Sequence, residues 1–185
     1  HDCDLLLDQN YSKNCENRYR GKIPETSATL FGPSFALIRS EYAKVRQSLC
    51  KHDGTVEKVL IFLGGSDQQN LTSLAIEAFS QSGLELIHLD VVIGTNHPHS
   101  DKLLAQCERR GRAQCHTMLP HLADMMAKAS LSIGAGGSTT LERLCLGLPS
   151  LVFATAVNQI PASEALGLDG YIEYLGPTST VSAKT

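Results

Sequence analysis

The chain has 185 residues, 42% of them hydrophobic and 19% charged, with no Trp and a formal net charge of -3. That length holds one domain, or one domain and part of another, with enough apolar material for a core. The charge balance speaks against the clustered basic surface of a nucleic-acid binder, and no apolar run approaches the ~18 residues of a membrane span. The short basic cluster Arg109, Arg110 and Arg112 reads as a solvated helix end.

The chain opens at His1-Asp2-Cys3-Asp4, with neither a Met nor a signal-like lead, and so reads as the continuation of an upstream segment. Asp4 to Asp8 reads as a strand ending in an Asp. Residues 10–28 read as a polar loop, Thr29 to Ile38 as an extended apolar stretch broken by Gly32-Pro33, and residues 40–50 as a helix. These pieces cannot build a core by themselves. Residues 1–52 are therefore expected to be the tail of a truncated N-terminal domain plus an inter-domain connection, and 53–185 a second domain.

From Val56 onward strands and helices alternate. Val56 to Leu63 is an apolar strand ending at Gly64-Gly65, and residues 68–82 follow as an amphipathic helix with Leu71, Leu74, Ala75, Ala78 and Phe79 on one face. Strands are then expected at 89–93, 113–118, 131–133, 150–154 and 171–175. Helices are expected at 100–110, from Pro120 to about Lys128, from the turn after Ile133 to Leu146, and near 159–166. The end from Thr178 to Thr185 reads as frayed. Short strands that are apolar throughout, alternating with helices, imply an α/β, Rossmann-like parallel sheet with helices on both faces.

Six cysteines, Cys3, Cys15, Cys50, Cys107, Cys115 and Cys145, include no C-x-x-C pair and have no His at zinc-ligand spacing. They read as free, reduced thiols of a cytoplasmic protein, with no metal and no cofactor implied.

Two turns carry the chemistry. Leu63-Gly64-Gly65-Ser66-Asp67 joins a strand to a helix, where ligands of open α/β sheets bind. Gly65 and Ser66 could admit a phosphate to the backbone and to a helix N-terminus. Ser66 and Gln69 also fit a capping box, a purely structural reading. Gly134-Ala135-Gly136-Gly137-Ser138-Thr139-Thr140-Leu141-Glu142 has the same placement. Gly136, Gly137, Ser138 and Thr139 could hold a pyrophosphate, with Glu142 accepting ribose hydroxyls; the structural alternative is a capping box of Thr139 with Glu142. Neither the G-x-G-x-x-G fingerprint nor a P-loop is present, which disfavours NAD and ATP. Asn158 and Gln159, at the next strand-to-helix junction, could meet a sugar or phosphate, or Asn158 could cap a helix.

The stretch Ile133 to Arg143, continuing Cys145-Leu146-Gly147-Leu148-Pro149-Ser150 and ending at Asn158-Gln159, resembles the UDP-2,4-diacetamido-2,4,6-trideoxy-β-L-altropyranose hydrolases of pseudaminic acid biosynthesis (the PseG family). It more distantly resembles the MurG N-acetylglucosaminyltransferases. Asp4 to Asn10, Leu30 to Arg39 and Phe62 to Asp67 resemble the hydrolases too. The resemblance implies the C-terminal half of a GT-B-like fold that binds a UDP-sugar, with metal-independent hydrolysis at the anomeric carbon and inversion. Carried over, Gly65 and Ser66 line the cleft, Gly137, Ser138 and Thr139 take the phosphates, Glu142 the ribose, and Asn158 and Gln159 the phosphate–sugar region. The family's catalytic His belongs to a Gly-rich motif that this chain lacks. His52, His88, His97, His99, His116 and His121 match nothing catalytic, so no general base is assigned here and a missing N-terminal domain is the expected partner. A glycosyltransferase with a UDP-GlcNAc-like donor, and a non-catalytic UDP-sugar-binding module, are the alternatives.

Overall fold

The computed structural model describes residues 2–49, 53–81, 83–117 and 119–180, which form two parallel sheets of unequal size. The smaller pairs β1 (Leu5–Asp8) with β2 (Ala28–Phe31) in parallel, with the short helix α1 (Cys15–Tyr19) between them. Helix α2 (Ser40–Gln47) then leads to the larger sheet. Its strands are β3 (Lys58–Phe62), β4 (His88–Val92), β5 (Ala113–His116), β6 (Leu131–Ala135), β7 (Ser150–Ala154) and β8 (Glu173–Pro177). Their order is β5-β4-β3-β6-β7-β8, and every pairing is parallel. The connecting helices are α3 (Leu71–Ala78), α4 (Ser100–Arg110), α5 (Ala123–Lys128), α6 (Thr139–Leu146) and α7 (Ile160–Leu168).

The chain winds outward from β3 through β4 to β5, returns through α5, and winds the other way from β6 to β8. Val59, Ile61, Leu89 and Val91 point to the face covered by Leu71 and Ile76 of α3 and Leu103 of α4. Leu60 and Val92 point to the opposite face, against Tyr42 of α2, Met126 of α5 and Leu146 of α6. Burial on both faces is why these strands are apolar at successive positions. The doubly wound, Rossmann-like sheet expected from the alternation is the sheet observed. Reversal of winding between β3 and β6 opens a crevice at the carboxyl ends of those two strands, which is where such sheets bind ligands.

Some local expectations change. The expected loop at 10–28 contains α1, held by Tyr19: its ring stacks on Phe31 at 5.5 Å and its hydroxyl donates to Asp8 at 2.8 Å. Long-range contacts, which local polarity does not reveal, decide that segment. Pro120 precedes the helix instead of sitting in its first turn, because α5 begins at Ala123. Arg110 is not part of a solvated face: its guanidinium donates to the carbonyls of Phe79, Leu84 and Ile87 at 3.2, 3.1 and 2.7 Å, closing the connection into β4. Thr178–Thr180 forms a 3-10 turn, while residues 181–185 of the expected frayed end, together with Cys50, His52 and Met118, lie outside the described residues.

The N-terminal segment is seated on the larger unit. The Tyr11 hydroxyl and the Lys13 ammonium both donate to Asp169, just past α7, at 2.5 and 2.6 Å. Among the described residues no helix is long and apolar enough to cross a membrane, and no group of His, Cys, Asp or Glu could hold a metal ion.

Candidate functional site

Both Gly-rich turns emerge at the switch in winding, because β3 and β6 are neighbours with Phe62 paired to Gly134. After β3, Gly64 takes a φ of 99° and Gly65 packs against the backbone of Gly94. The expected Ser66–Gln69 capping box is not formed. Helix α3 starts at Leu71, later than the periodicity implied, and follows Asn70 with a φ of 55°. That start brings Asp67 into the capping position. Its carboxylate accepts from the N–H groups of Leu71 and Thr72 at 3.0 and 2.8 Å and from the Thr72 hydroxyl at 2.6 Å. Ser66 is exposed and faces a hollow shared with Thr155, apart from the cavity that Gly65 lines.

After β6, the Gly136 N–H donates to Phe153 O at 2.8 Å, so it extends the sheet and is not an open donor. A β-carbon at Gly136 would overlap the Ser163 hydroxyl, which is how α7 comes so near the turn. The helical ladder begins with Thr140 N–H to Gly137 O and Leu141 N–H to Ser138 O, both at 3.0 Å. The N–H groups of Gly137, Ser138 and Thr139 precede that ladder, at the positive end of the helix dipole. Ser138 is the residue before α6 and makes no side-chain capping bond, so the Thr139–Glu142 capping box is not formed and Glu142 is not drawn back to the backbone. Gln159 uses its Oε1 to accept from the Thr155 N–H and hydroxyl at 2.9 and 3.1 Å, which turns its amide nitrogen toward Gly137. Asn158 lies exposed in a 3-10 turn at Val157–Gln159 and caps nothing through its side chain.

Two cavities flank the start of α6. One, of about 310 Å³, is lined by Gly65, Thr139 and Glu142 together with apolar groups of Phe62, Val92, Leu119 and Leu122. The other, of about 870 Å³, is lined by Gly136, Gly137, Ser138, Asn158 and Gln159, and on its far wall by Asn10, Asn14, Asn17 and Arg18 of the N-terminal segment. The residues singled out in the sequence are thus brought to one edge of the sheet, on the two sides of a single helix start, with Ser66 set apart.

Tyr42 was not legible as a site residue. It is 1% exposed, and its hydroxyl accepts the Leu122 N–H at 3.3 Å. Burial first, and then the Glu142 carboxylate beside it, push the phenol far above its ordinary value. The Tyr42 hydroxyl that accepts from Leu122 therefore stands beside the Glu142 carboxylate. No local pattern in residues 40–47 marks this role, which comes from packing α2 against α6. Arg39 and His121 line the same cavity and were equally unmarked.

No protein-family model matches the chain. It is 24% identical over 159 residues to the spore coat polysaccharide biosynthesis protein SpsG of Bacillus subtilis, covering 83% of this chain and 45% of that protein. It is 28% identical over 154 residues to the uncharacterized protein MJ1062 of Methanocaldococcus jannaschii, covering 80% of this chain and 32% of that one. The chain therefore spans less than half the length of these relatives. Among solved structures, MurG of Acinetobacter baumannii superposes with a TM-score of 0.63 at 16% identity over 97% of this chain and 55% of that one. Os79 of O. sativa, solved with UDP and a deoxynivalenol glucoside, superposes with a TM-score of 0.54 at 17% identity over 89% and 38%. The fold is that of a GT-B glycosyltransferase domain, and the sequence is related to a polysaccharide biosynthesis protein.

Proposed function

We propose that this chain is the nucleotide-binding half of a UDP-sugar enzyme, with residues 1–52 belonging to an upstream domain and its connection. The observation that carries this reading is the meeting of two chemically unlike cavities at the start of α6. The smaller, with apolar walls and the Glu142 carboxylate, suits a uracil and ribose. The open donors of Gly137, Ser138 and Thr139 suit a diphosphate. The larger, rich in amide side chains, suits the hydroxyls and acetamido groups of a sugar, with Asn158 and Gln159 at its phosphate end. Gly65 closes the nucleotide side; Ser66 is assigned the outer lip of the cleft.

In the hydrolytic form of the reaction, water attacks the anomeric carbon from the face opposite UDP. The bond from that carbon to the phosphate oxygen breaks, and UDP leaves with the electron pair. The helix start steadies the charge developing on UDP. A base on the upstream domain takes the proton from water, and attack from the opposite face inverts the anomeric centre. The resemblance to the pseudaminic acid pathway hydrolases supports water as acceptor. The likeness to MurG and Os79 supports equally a transfer in which an acceptor hydroxyl replaces water.

The test is incubation of the polypeptide, together with its upstream domain, with UDP-diacetamido-trideoxy sugars and UDP-GlcNAc, followed by NMR of the anomeric proton. Free sugar of inverted configuration plus UDP supports hydrolysis. Turnover only after an acceptor is added supports transfer. Binding without turnover of any donor leaves a UDP-sugar-binding module and overturns the enzymatic reading.

A further inference from the structure

Behind the turn that starts α6 lies a sequestered cation. Arg143 is 1% exposed, and its side chain folds back along β6. Its Nη2 donates to the Ala135 carbonyl at 2.8 Å and to the Thr140 hydroxyl at 2.9 Å. The Thr140 hydroxyl in turn donates to the same carbonyl at 3.2 Å. Nε and Nη1 are buried and have no hydrogen-bond partner. Nη1 fills the space a β-carbon at Gly134 would occupy, so the glycine in β6 is what lets the guanidinium lie flat against the strand. Among the described residues no carboxylate stands within ion-pair distance of it.

Burial lowers the Arg143 pKa to about 10, which still leaves it charged at neutral pH. The charge of the neighbouring Glu142 offsets that burial only in part, and a buried charge without an ion-pair partner is expensive to hold. Here it sits one peptide before Gly136-Gly137-Ser138, where the unladdered N–H groups of α6 also gather positive potential. A purely structural clamp on Ala135 would need a donor, and a neutral side chain could supply one.

We infer that Arg143 is the fixed counter-charge of the diphosphate. It acts from behind the turn, through the rigid Ala135–Thr140 frame and through its field, without touching the ligand. This rests on the UDP reading of the same site and adds a positioning residue to it. It also implies that the empty site is electrostatically unsatisfied and that anion binding relieves it.

The test is calorimetric titration of the chain and of Arg143→Gln and Arg143→Met with UDP, UMP and uridine, together with thermal melts of each protein without ligand. Gln keeps a donor for Ala135 but no charge; Met keeps the volume alone. The expected result is a loss graded by ligand charge: roughly ten-fold or more for UDP, less for UMP, and about two-fold or less for uridine, as a lost counter-charge demands. The ligand-free variants are expected to melt no lower than the parent by more than a few degrees, because removing an unpaired buried charge offsets the lost hydrogen bonds. If the parent chain binds none of the three ligands, the UDP reading itself falls. If the parent binds UDP but the variants lose UDP and uridine by the same factor, or lose neither, Arg143 is only a structural clamp and the inference is overturned. Should Met unfold the chain, Gln alone decides, by the ratio of its UDP to uridine affinities against that of the parent.

Discussion

Gly94, after β4, lies so close to Gly65, after β3, that a β-carbon on Gly94 would overlap the Gly65 carbonyl group. The reverse is not true, since a β-carbon on Gly65 would meet nothing within 4 Å. Gly94→Ala is therefore expected to push the first Gly-rich turn out of place at a cost of about 1–3 kcal/mol, the range for overpacking. Gly65→Ala is expected to leave the melting temperature unchanged while placing a methyl group in the smaller cavity. Thermal melts of the two variants, compared with their UDP affinities, separate the fold contribution from the site contribution.

Tyr42→Phe removes the hydroxyl that accepts from Leu122 and faces Glu142. If Glu142 receives the ribose, the variant is expected to lose about 1 kcal/mol of UDP affinity, roughly five-fold, the usual worth of one hydrogen bond. It should bind 2′,3′-dideoxy-UDP as the parent does. Equal losses for both nucleotides in competition binding would show that Tyr42 only packs.

Asp67→Ala removes the acceptor for two backbone N–H groups at the start of α3. The expected cost is about 1–2 kcal/mol in urea unfolding, the range for a lost N-terminal cap. Ser66→Ala is expected to cost nothing measurable, since Ser66 is exposed and does not cap the helix.

That contrast marks how far the sequence could be read. The unbroken apolar runs at Val59–Ile61 and Leu89–Val92, alternating with helical periods, were sufficient for the doubly wound sheet, because burial on both faces writes itself into every position. The turns around Gly65 and Gly137 were legible as strand-to-helix junctions from their glycines and hydroxyls, residues that serve a helix cap as readily as a ligand. Which hydroxyl or carboxylate caps α3 was not, since Ser66 and Asp67 are adjacent and the choice depends on where Asn70 turns the chain. Tyr42 and Arg143 were invisible for a different reason. Their positions arise from α2 packing on α6 and from the missing side chain at Gly134, neither of which leaves a local pattern.

Asp90, buried in β4, is pushed up by burial but held down more strongly by hydrogen bonds and charge from His116 at 2.9 Å and Lys58 at 3.2 Å, and its pKa ends below the ordinary 3.8. A carboxyl depressed in the folded state adds stability above its unfolded pKa and loses it as pH falls through the folded value. Denaturant midpoints are therefore expected to drop below about pH 4, and Asp90→Asn should flatten that acid limb while lowering stability at neutral pH. An unchanged acid limb in Asp90→Asn would assign the loss to other carboxylates, such as Asp8, which is also depressed.

The central claim is that the start of α6 holds a diphosphate while Glu142 holds the adjoining ribose. Calorimetric titration with UDP and UMP, for the chain and for Glu142→Ala, tests it most directly. The account predicts UDP binding well above UMP, with affinity for both falling about ten-fold in the variant as the charged hydrogen bonds to ribose are lost. No binding of UDP at millimolar concentration, or equal binding to the chain and to Glu142→Ala, would contradict it.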